Sequence, residues 1–345
     1  MKYAIKILTV LMSLVISAAA QTQSQEVKFD GLGVKIAGTL TLPKLDAGKR
    51  APAVLIVGGS GLTPRDGFTF GDAKHWIYRD LAETLAARGY ASLRYDKRCA
   101  GASECRKAES FDDYIDDAKG ALEFLRKHEK VDPRRIFLFG HGEGGVIAST
   151  LGSSDEQGLA GVTLAGSPGR NLSKLMRDWL QLRLAGEGKK PDETAVALVK
   201  YDRVVRGLTN GQTRFPNEQF DKNNMVDALL LDWIGQYDVV VSLLINDPLQ
   251  IAANIKSPVL ILQGRKDLQV AVKDAQYLEE ALKRVNHPDT SLHLFDDADH
   301  LLKTNKGAAS LASYADASRP LDAAMLTVLT DWMGKKRNDS RSEIR

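Results

Sequence analysis

The chain has 345 residues, 43% of them apolar and 26% charged, which is the composition of a globular protein with one large domain or two small ones. Its 47 basic and 44 acidic residues leave a formal net charge of +3, and no long basic block is present. The composition therefore gives no support for binding to nucleic acid or to a membrane surface, and it favours a small molecule as the partner.

Residues 1–20 have the pattern of a secretory signal peptide. Lys2 and Lys6 flank the start, an apolar run covers residues 7–16, and three alanines at 18–20 precede the polar Gln21. The run is shorter than the about 20 residues that span a bilayer, so cleavage after Ala20 is favoured over an uncleaved anchor helix. We expect a secreted or periplasmic protein that keeps no stable membrane anchor after cleavage.

The mature chain begins with strand patterns. Two short alternating segments within residues 27–42, separated by glycines, predict an antiparallel hairpin at a sheet edge. The apolar run at 53–57 predicts a buried strand, and a glycine-rich turn at 58–61 opens the long loop that follows it. Helix patterns at 76–88 and 111–128 then alternate with a strand pattern at 90–95. This alternation predicts a mostly parallel sheet with helices on both faces.

Two cysteines, Cys99 and Cys105, lie six positions apart in a loop that contains glycine and serine. In an oxidising compartment this spacing favours a local disulfide, with two unpaired thiols as the alternative. The pair has no second CxxC motif or nearby histidine cluster, so it predicts no metal site. We predict no cofactor.

A strand pattern at 135–139 leads directly into a helix-length segment through the turn Gly140-His141-Gly142-Glu143-Gly144-Gly145. A sharp turn between strand and helix is the setting in which the motif G-x-S-x-G exposes a nucleophilic serine. The central position of that motif is Gly142, which has no nucleophilic atom. His141 is expected to orient the backbone of the turn.

The second half of the chain resumes the alternation after an insertion. Residues 161–166 form a strand pattern, but residues 171–246 are helix-like and poor in strand signals, which predicts a helical cap or lid. We assign the aromatic residues of the cap to packing and no site residue to it. A core of residues 21–170 and 247–337 completes the predicted domain with strands at 258–264 and 291–295 and a terminal helix. Residues 338–345 are expected to be a disordered tail.

Two titratable residues follow the last two predicted strands. Asp267 comes just after the strand at 258–264, and His300 comes just after the strand at 291–295. Acyl transfer by a hydroxyl requires a base, an acid that orients the base, and donors to the oxyanion. Asp267 and His300 have the chain order of such an acid and base. The expected oxyanion donors are the backbone N–H groups of Glu143 and Ser60, with Gly59 as the neighbour that allows close approach.

The glycine-rich turns and the residues at the strand ends together resemble those of secreted α/β-hydrolases of the serine-aminopeptidase-like or esterase type. The resemblance implies the α/β-hydrolase fold and a Ser-Asp-His site, but this chain departs from it at Gly142, where the family has serine. A second departure is Cys99, where relatives have glycine in the pattern R-Y-D-x-R-G-x-G-x-S. The segments that carry the resemblance are residues 40–43, 58–61, 65–67, 94–98, 140–145, 264–267 and 299–300.

Four interpretations of Gly142 follow. In the favoured one, the glycine replaces an active serine, whether naturally or by introduction, and impairs a hydrolase that acts on esters, thioesters or amides of small apolar acyl groups. In the second the chain is a non-hydrolytic, ligand-binding member of the fold, and in the third Asp267 and His300 act without a covalent step. In the fourth Gly140, Gly142 and Gly145 bind a dinucleotide, although the next strand ends without the acidic residue that this fingerprint requires.

Overall fold

The computed structural model describes residues 22–155 and 158–342, and of residues 337–342 it describes the backbone. The predicted signal peptide at 1–20 and residues 343–345 of the predicted tail lie outside the described residues. The strands are β1 (Gln23–Asp30), β2 (Lys35–Leu42), β3 (Ala51–Val57), β4 (Phe68–Phe70), β5 (Ala73–His75), β6 (Ala91–Tyr95), β7 (Val131–His141), β8 (Gly161–Ala165), β9 (Val259–Gly264) and β10 (Thr290–Phe295).

The helices alternate with these strands through most of the chain. They are α1 (Ile77–Ala87), α2 (Asp112–Lys127), α3 (Glu143–Ser154), α4 (Leu172–Gly186), α5 (Pro191–Thr209), α6 (Met225–Gly235), α7 (Tyr237–Ile245), α8 (Pro248–Ala252), α9 (Val272–Arg284) and α10 (Ala323–Ser342), with a 3₁₀ helix at Leu311–Ala315.

The described strands form an eight-stranded sheet in the order β1-β2-β6-β3-β7-β8-β9-β10, and β4 pairs separately with β5. β1 pairs antiparallel with β2, and β2 pairs antiparallel with β6. All the other neighbours in the large sheet run parallel. The structure thus confirms the predicted N-terminal hairpin and the mostly parallel sheet. β7, which leads into the turn at Gly142, lies near the middle of the sheet.

Helices cover both faces of the sheet because successive side chains of a strand point to opposite sides. In β3, Leu55 packs with residues of α2, α3 and α9, whereas its neighbour Ile56 packs with residues of α1 and α10. Both side chains are almost completely buried. Burial on both faces explains why β3 is a continuous apolar run rather than an alternating one.

Helices α4 to α7 lie between β8 and β9 in the chain and have a hydrophobic core of their own, which we call the cap core. It consists of Leu180, Leu184, Leu198, Tyr201, Val204, Val205, Leu208, Val226, Leu230, Trp233, Val240 and Leu244. Within the described ranges, no single helix is long and apolar enough to cross a membrane. The pair α6 and α7 would be long and apolar enough if counted as one segment, but the two helices meet at a bend of 100°.

Two elements differ from the sequence prediction. The loop after β3 contains the short hairpin of β4 and β5, joined at Gly71, whose φ of 57° suits a tight turn. A glycine–aspartate pair between two short apolar segments is a hairpin signal that the prediction missed. α10 continues to Ser342, although a tail was predicted from residue 338.

The turn between β7 and α3 depends on a very close approach of backbone segments. A Cβ atom on Gly144 would lie 2.3 Å from the carbonyl oxygen of Val57, and one on Gly140 would lie 2.4 Å from the carbonyl oxygen of Gly144. Neither distance is sterically possible, so α3 can start one residue after β7 only with glycine at both positions.

We expect the substitution Gly144→Ala to lower the free energy of unfolding by about 2 kcal/mol or more, because the backbone of β3 has to move to make room for the methyl group. Gly186→Ala is the matched control, since a Cβ at this exposed helix position meets no atom within 4 Å. In the control we expect no loss and a gain of up to about 1 kcal/mol from helix propensity. Urea unfolding measures both. Equal stability of the two variants would contradict the role assigned to Gly144.

Candidate active site

Gly142 forms the whole connection between β7 and α3, with φ 54° and ψ −124°. Glycine adopts this region freely, whereas a residue with a side chain adopts it at a cost in strain. The Gly142 N–H donates to the carbonyl oxygen of Ala165 at 3.0 Å. A Cβ atom built on Gly142 would lie 3.6 Å from Nε2 of His300, and its nearest contacts are ordinary van der Waals distances. The site therefore has room for a side chain at position 142.

His300 lies beyond the end of β10 and is bound to Asp267, which lies beyond the end of β9. The His300 Nδ1 atom and the Asp267 Oδ2 atom are 2.9 Å apart, and both side chains are buried. Asp267 Oδ1 accepts from the backbone N–H groups of Gln269 and Val270, each at 2.8 Å. Oδ2 also accepts from Nε2 of Gln263 at 3.2 Å. The carboxylate is therefore fixed from three sides, and it fixes the imidazole in turn.

The pKa of His300 is raised above its usual value of 6.5. Burial is the largest influence and acts to lower the pKa of His300. The charge of Asp267, the hydrogen bond to it and the charge of Asp299 together outweigh burial. Near neutral pH the imidazole thus accepts a proton more readily than a free histidine does. This is the property that a general base requires.

A chain of buried hydrogen bonds joins three loops of the site through His141. The Gly59 N–H donates to the hydroxyl of Tyr78 at 2.7 Å, and this hydroxyl contacts Nδ1 of His141 at 2.8 Å. Because the Tyr78 oxygen accepts from Gly59, its own proton is directed at Nδ1. His141 then donates from Nε2 to the carbonyl oxygen of His300 at 2.7 Å. Burial lowers the pKa of His141 to about 3, so it stays neutral and orients the backbone.

The residues predicted as oxyanion donors lie at the cavity. Ser60 and Glu143 line it beside Gly142 and His300. The N–H of the neighbouring Gly59 is bound to the hydroxyl of Tyr78. A Cβ atom on Gly59 would meet its nearest protein atom at 3.5 Å, an ordinary contact. The part that Gly59 plays in close approach to a substrate stays a prediction.

A cavity of about 200 Å³ lies above Gly142 and His300 and is lined on its other side by residues of the cap helices. Trp179, which the sequence assigned to packing, lines this cavity. The helical spacing of the lining residues was visible in the sequence, but periodicity does not tell a face that meets a core from one that meets a cavity. The other apolar cap residues that line it are Leu172, Leu175, Met176 and Leu243.

The charged residues in the cavity wall have partners. Arg170 binds Asp274 through two contacts of 2.8 Å, from Nε to Oδ1 and from Nη2 to Oδ2. Glu143 binds the ammonium group of Lys97 at 2.8 Å. Paired charges exert a weaker field on a ligand than isolated ones do. The cavity therefore suits an apolar group with a single polar end near His300.

Cys99 and Cys105 form a disulfide, and neither residue lines the cavity. Cys99 has φ 64°. This left-handed conformation explains why glycine is the residue expected at that position from the resemblance.

Packing accounts for two glycines of the dinucleotide-like pattern. Gly140 is required by its contact with Gly144, and a Cβ on Gly145 would lie 1.8 Å from Oγ of Ser167. Among the residues that the structure describes, no group of three or more histidine, cysteine or acidic side chains is arranged to hold a metal ion.

Comparison with known proteins gives a consistent picture. A family model described as serine aminopeptidase, S33, matches residues 71–306. Esterase EstD of Thermotoga maritima is 28% identical over 301 residues, which are 86% of this chain and 65% of that esterase. The quorum-quenching protein AidA of Acinetobacter baumannii is 26% identical over 56% of this chain and 60% of its own length. The chain thus spans somewhat less than two thirds of these relatives.

Solved structures share the architecture. The α/β-hydrolase GrgF of a Penicillium species superposes with a TM-score of 0.56 at 16% identity, over 91% of this chain and 99% of its own. An esterase of Pyrococcus furiosus superposes with a TM-score of 0.54 at 20% identity, over 81% of this chain and 84% of its own. At these identities the likeness shows the fold, which is the α/β-hydrolase fold.

The Asp267→Asn substitution is expected to lower the pKa of His300, because the smaller effect of the Asp299 charge is then all that opposes burial. Titration of His300 by NMR measures this shift. Asp296→Asn is the control, since Asp296 lies exposed in the loop after β10 and pairs with Arg265. A His300 pKa that does not fall when the Asp267 charge is removed, or that falls equally in Asp296→Asn, would contradict the assignment.

The same pair has a consequence for stability against pH. The pKa of His300 is raised in the folded state, so the protonated imidazole contributes to the free energy of unfolding. This contribution is fully present below pH 6.5 and is lost as the pH rises through the folded-state pKa of His300. The difference in unfolding free energy between the parent chain and the Asp267→Asn protein should shrink over that interval.

Proposed function

The chain belongs to the serine aminopeptidase S33 family of α/β-hydrolases, and from this premise we propose that its site is built to hydrolyse carboxylic acid derivatives. The proposed substrates are esters, thioesters or amides of small apolar acyl groups, and Gly142 impairs the reaction. One observation carries the proposal. His300 presents Nε2 to the empty side-chain position at residue 142 while Asp267 holds Nδ1.

A serine at position 142 would complete the reaction path. Its hydroxyl, one bond beyond the Cβ position, would pass its proton to Nε2 of His300 and attack the acyl carbon. His300 would return this proton to the leaving alcohol, thiol or amine as its bond to the acyl carbon breaks. A water molecule, activated by His300 in the same way, would then release the acid and restore the serine. Asp267 would stabilise the imidazolium. The N–H groups of Ser60 and Glu143 are the proposed donors to the oxyanion. With glycine at 142 the covalent step has no nucleophile, while the binding surface and the base remain.

The cavity supports an apolar acyl group as the bound part of the substrate. Its roof is made by Trp179, Met176 and other apolar residues of the cap, and its charged wall residues are paired. The relative with the longest matched segment given above is named an esterase, which agrees with ester hydrolysis as the reaction. The volume of about 200 Å³ suits a short acyl chain.

A second candidate function rests on the space left by Gly142. Because a side-chain atom fits 3.6 Å from Nε2 of His300, a water molecule fits there as well. His300 would then activate that water directly, or abstract a proton from a bound ligand, without a covalent intermediate. If neither reaction occurs, the chain is a ligand-binding member of the fold.

The substitution Gly142→Ser is expected to raise kcat on short-chain aryl esters such as 4-nitrophenyl butanoate by about 10³-fold or more, since loss of the nucleophile costs about 10⁶-fold in a comparable triad enzyme. Gly142→Ala is the matched control, because it adds the Cβ atom with the same backbone strain but without a hydroxyl. A fluorophosphonate probe should label the serine form alone. Absence of both hydrolysis and labelling in a folded Gly142→Ser protein would refute the proposal.

The parent chain separates the two candidate functions in the same assay. If the glycine form already hydrolyses the ester rapidly and loses this activity on His300→Ala, the non-covalent mechanism is supported. Slow hydrolysis that is insensitive to His300→Ala supports the impaired site.

The acyl-chain preference of the Gly142→Ser protein should depend on the cap. Trp179→Ala enlarges the cavity, so we expect the preferred chain to lengthen by two or more carbons, with kcat/KM changing by about 4-fold for each methylene buried. Leu182→Ala is the control, because Leu182 lies on the same helix, is 37% exposed and does not line this cavity. A chain-length profile from acetate to decanoate esters measures the effect. Identical profiles would place the acyl group elsewhere.

A further inference from the structure

We propose that Lys97 is a positioning residue that fixes the direction of the Ser60 N–H group. The inference rests on the proposed function, since it concerns the oxyanion donors of that site. Lys97 follows β6, and its side chain is 3% exposed. Its ammonium group donates to the carbonyl oxygen of Gly59 at 2.5 Å and to Oε1 of Glu143 at 2.8 Å. It therefore ties the turn after β3 to the first residue of α3.

The contact with Gly59 matters because of the geometry of one peptide unit. The carbonyl of Gly59 and the N–H of Ser60 belong to the same peptide, which is planar and trans, so the two groups point in opposite directions. Lys97 holds the carbonyl on one side. The hydroxyl of Thr63 lies 3.2 Å from the same carbonyl oxygen but donates at the shorter distance of 2.7 Å to the carbonyl oxygen of Ser60. The N–H of Ser60 must then point to the other side. Ser60 lines the cavity there.

The opposite orientation of this peptide would be unfavourable for acyl transfer. It would present the carbonyl oxygen of Gly59, in place of the Ser60 N–H, to the negative charge that develops on the substrate. Donors that are aimed in advance stabilise that charge because they need no reorganisation during the reaction. Lys97 thus keeps the carbonyl oxygen of Gly59 pointing away from the cavity.

The contact with Glu143 gives Lys97 a second effect at the same place. Glu143 carries the other proposed donor on its backbone, and its side chain is 16% exposed. An unpaired carboxylate so close to the oxyanion would oppose its formation. The ammonium group of Lys97 neutralises this charge.

Neighbouring contacts hold the backbone of Lys97 itself. Its N–H donates to the carbonyl oxygen of Thr63 at 3.3 Å. The carboxylate of the adjacent Asp96 accepts from the N–H groups of Arg65 and Ala102, at 2.7 Å and 2.8 Å. These contacts fix the backbone from which the Lys97 side chain extends, as a positioning residue requires.

The first test uses the Gly142→Ser protein. Adding Lys97→Met should lower kcat by about 10²-fold or more, the usual effect of losing one oxyanion donor, while KM changes less than about 3-fold because the cavity wall is intact. The Lys97→Met/Glu143→Gln combination removes the unpaired carboxylate and preserves the net charge of the pair. It should recover the melting temperature lost in Lys97→Met and the part of kcat lost to the unpaired carboxylate, but kcat should stay about 10-fold or more below that of the Gly142→Ser protein.

Two results of this test would overturn the proposal. One is a kcat within 3-fold of the Gly142→Ser protein after Lys97→Met. The other is full recovery of kcat together with the melting temperature in the double variant, because Lys97 would then serve only to balance the charge of Glu143.

A second test needs no hydrolysis and uses the parent chain with glycine at 142. Calorimetry compares the binding of hexanoate, whose carboxylate oxygen mimics the oxyanion, with that of hexan-1-ol. The Lys97→Met/Glu143→Gln protein should bind hexanoate about 10-fold or more weakly and hexan-1-ol within 2-fold of the parent. Equal changes for both ligands, or none, would overturn the role of Lys97. If the Gly142→Ser protein is inactive, the proposed function fails while this measurement still decides the inference.

Discussion

The close approach of α3 to β3 and β7 is the constraint on which the rest of the site depends. Because glycines at 140 and 144 let backbone pack directly against backbone, the chain passes from strand to helix through one residue. That residue lies at the carboxyl edge of the sheet. The loops after β3, β9 and β10 begin at the same edge, since these strands run parallel to β7. None of this geometry depends on a hydroxyl group at position 142.

The site balances its charges at short range. Asp267 holds His300, Asp274 holds Arg170, and Glu143 holds Lys97. A buried charge without a partner would be costly, whereas a paired one leaves the cavity largely apolar. His141 solves the same problem in another way, since burial keeps its ring neutral and leaves it to carry hydrogen bonds between loops. The polar machinery and the apolar pocket can therefore adjoin each other.

The sequence predicts the order of the elements, the parallel sheet and the positions of Asp267 and His300, because strand ends in a parallel sheet meet at one edge. It does not predict which side of α4 meets a cavity, since periodicity gives a face and not its surroundings. It also misses the contacts of Tyr78 and Lys97. Tyr78 contacts His141, 63 positions away, and Lys97 contacts Glu143, 46 positions away. No local sequence pattern encodes such long-range contacts between side chains.

The cap core has a consequence for how such proteins diversify. Its buried residues all lie between positions 180 and 244, separate from the residues that pack the two faces of the sheet. The cap residues that cover the cavity and the buried residues that pack the sheet thus lie in different parts of the chain. The cap still touches the rest of the domain through α7, since Leu243 packs against the sheet core and Oγ of Ser242 accepts from the N–H of Phe111 at 2.9 Å. The junction must retain Arg170 and its link to Asp274, which makes this pair the natural boundary for grafting a foreign cap.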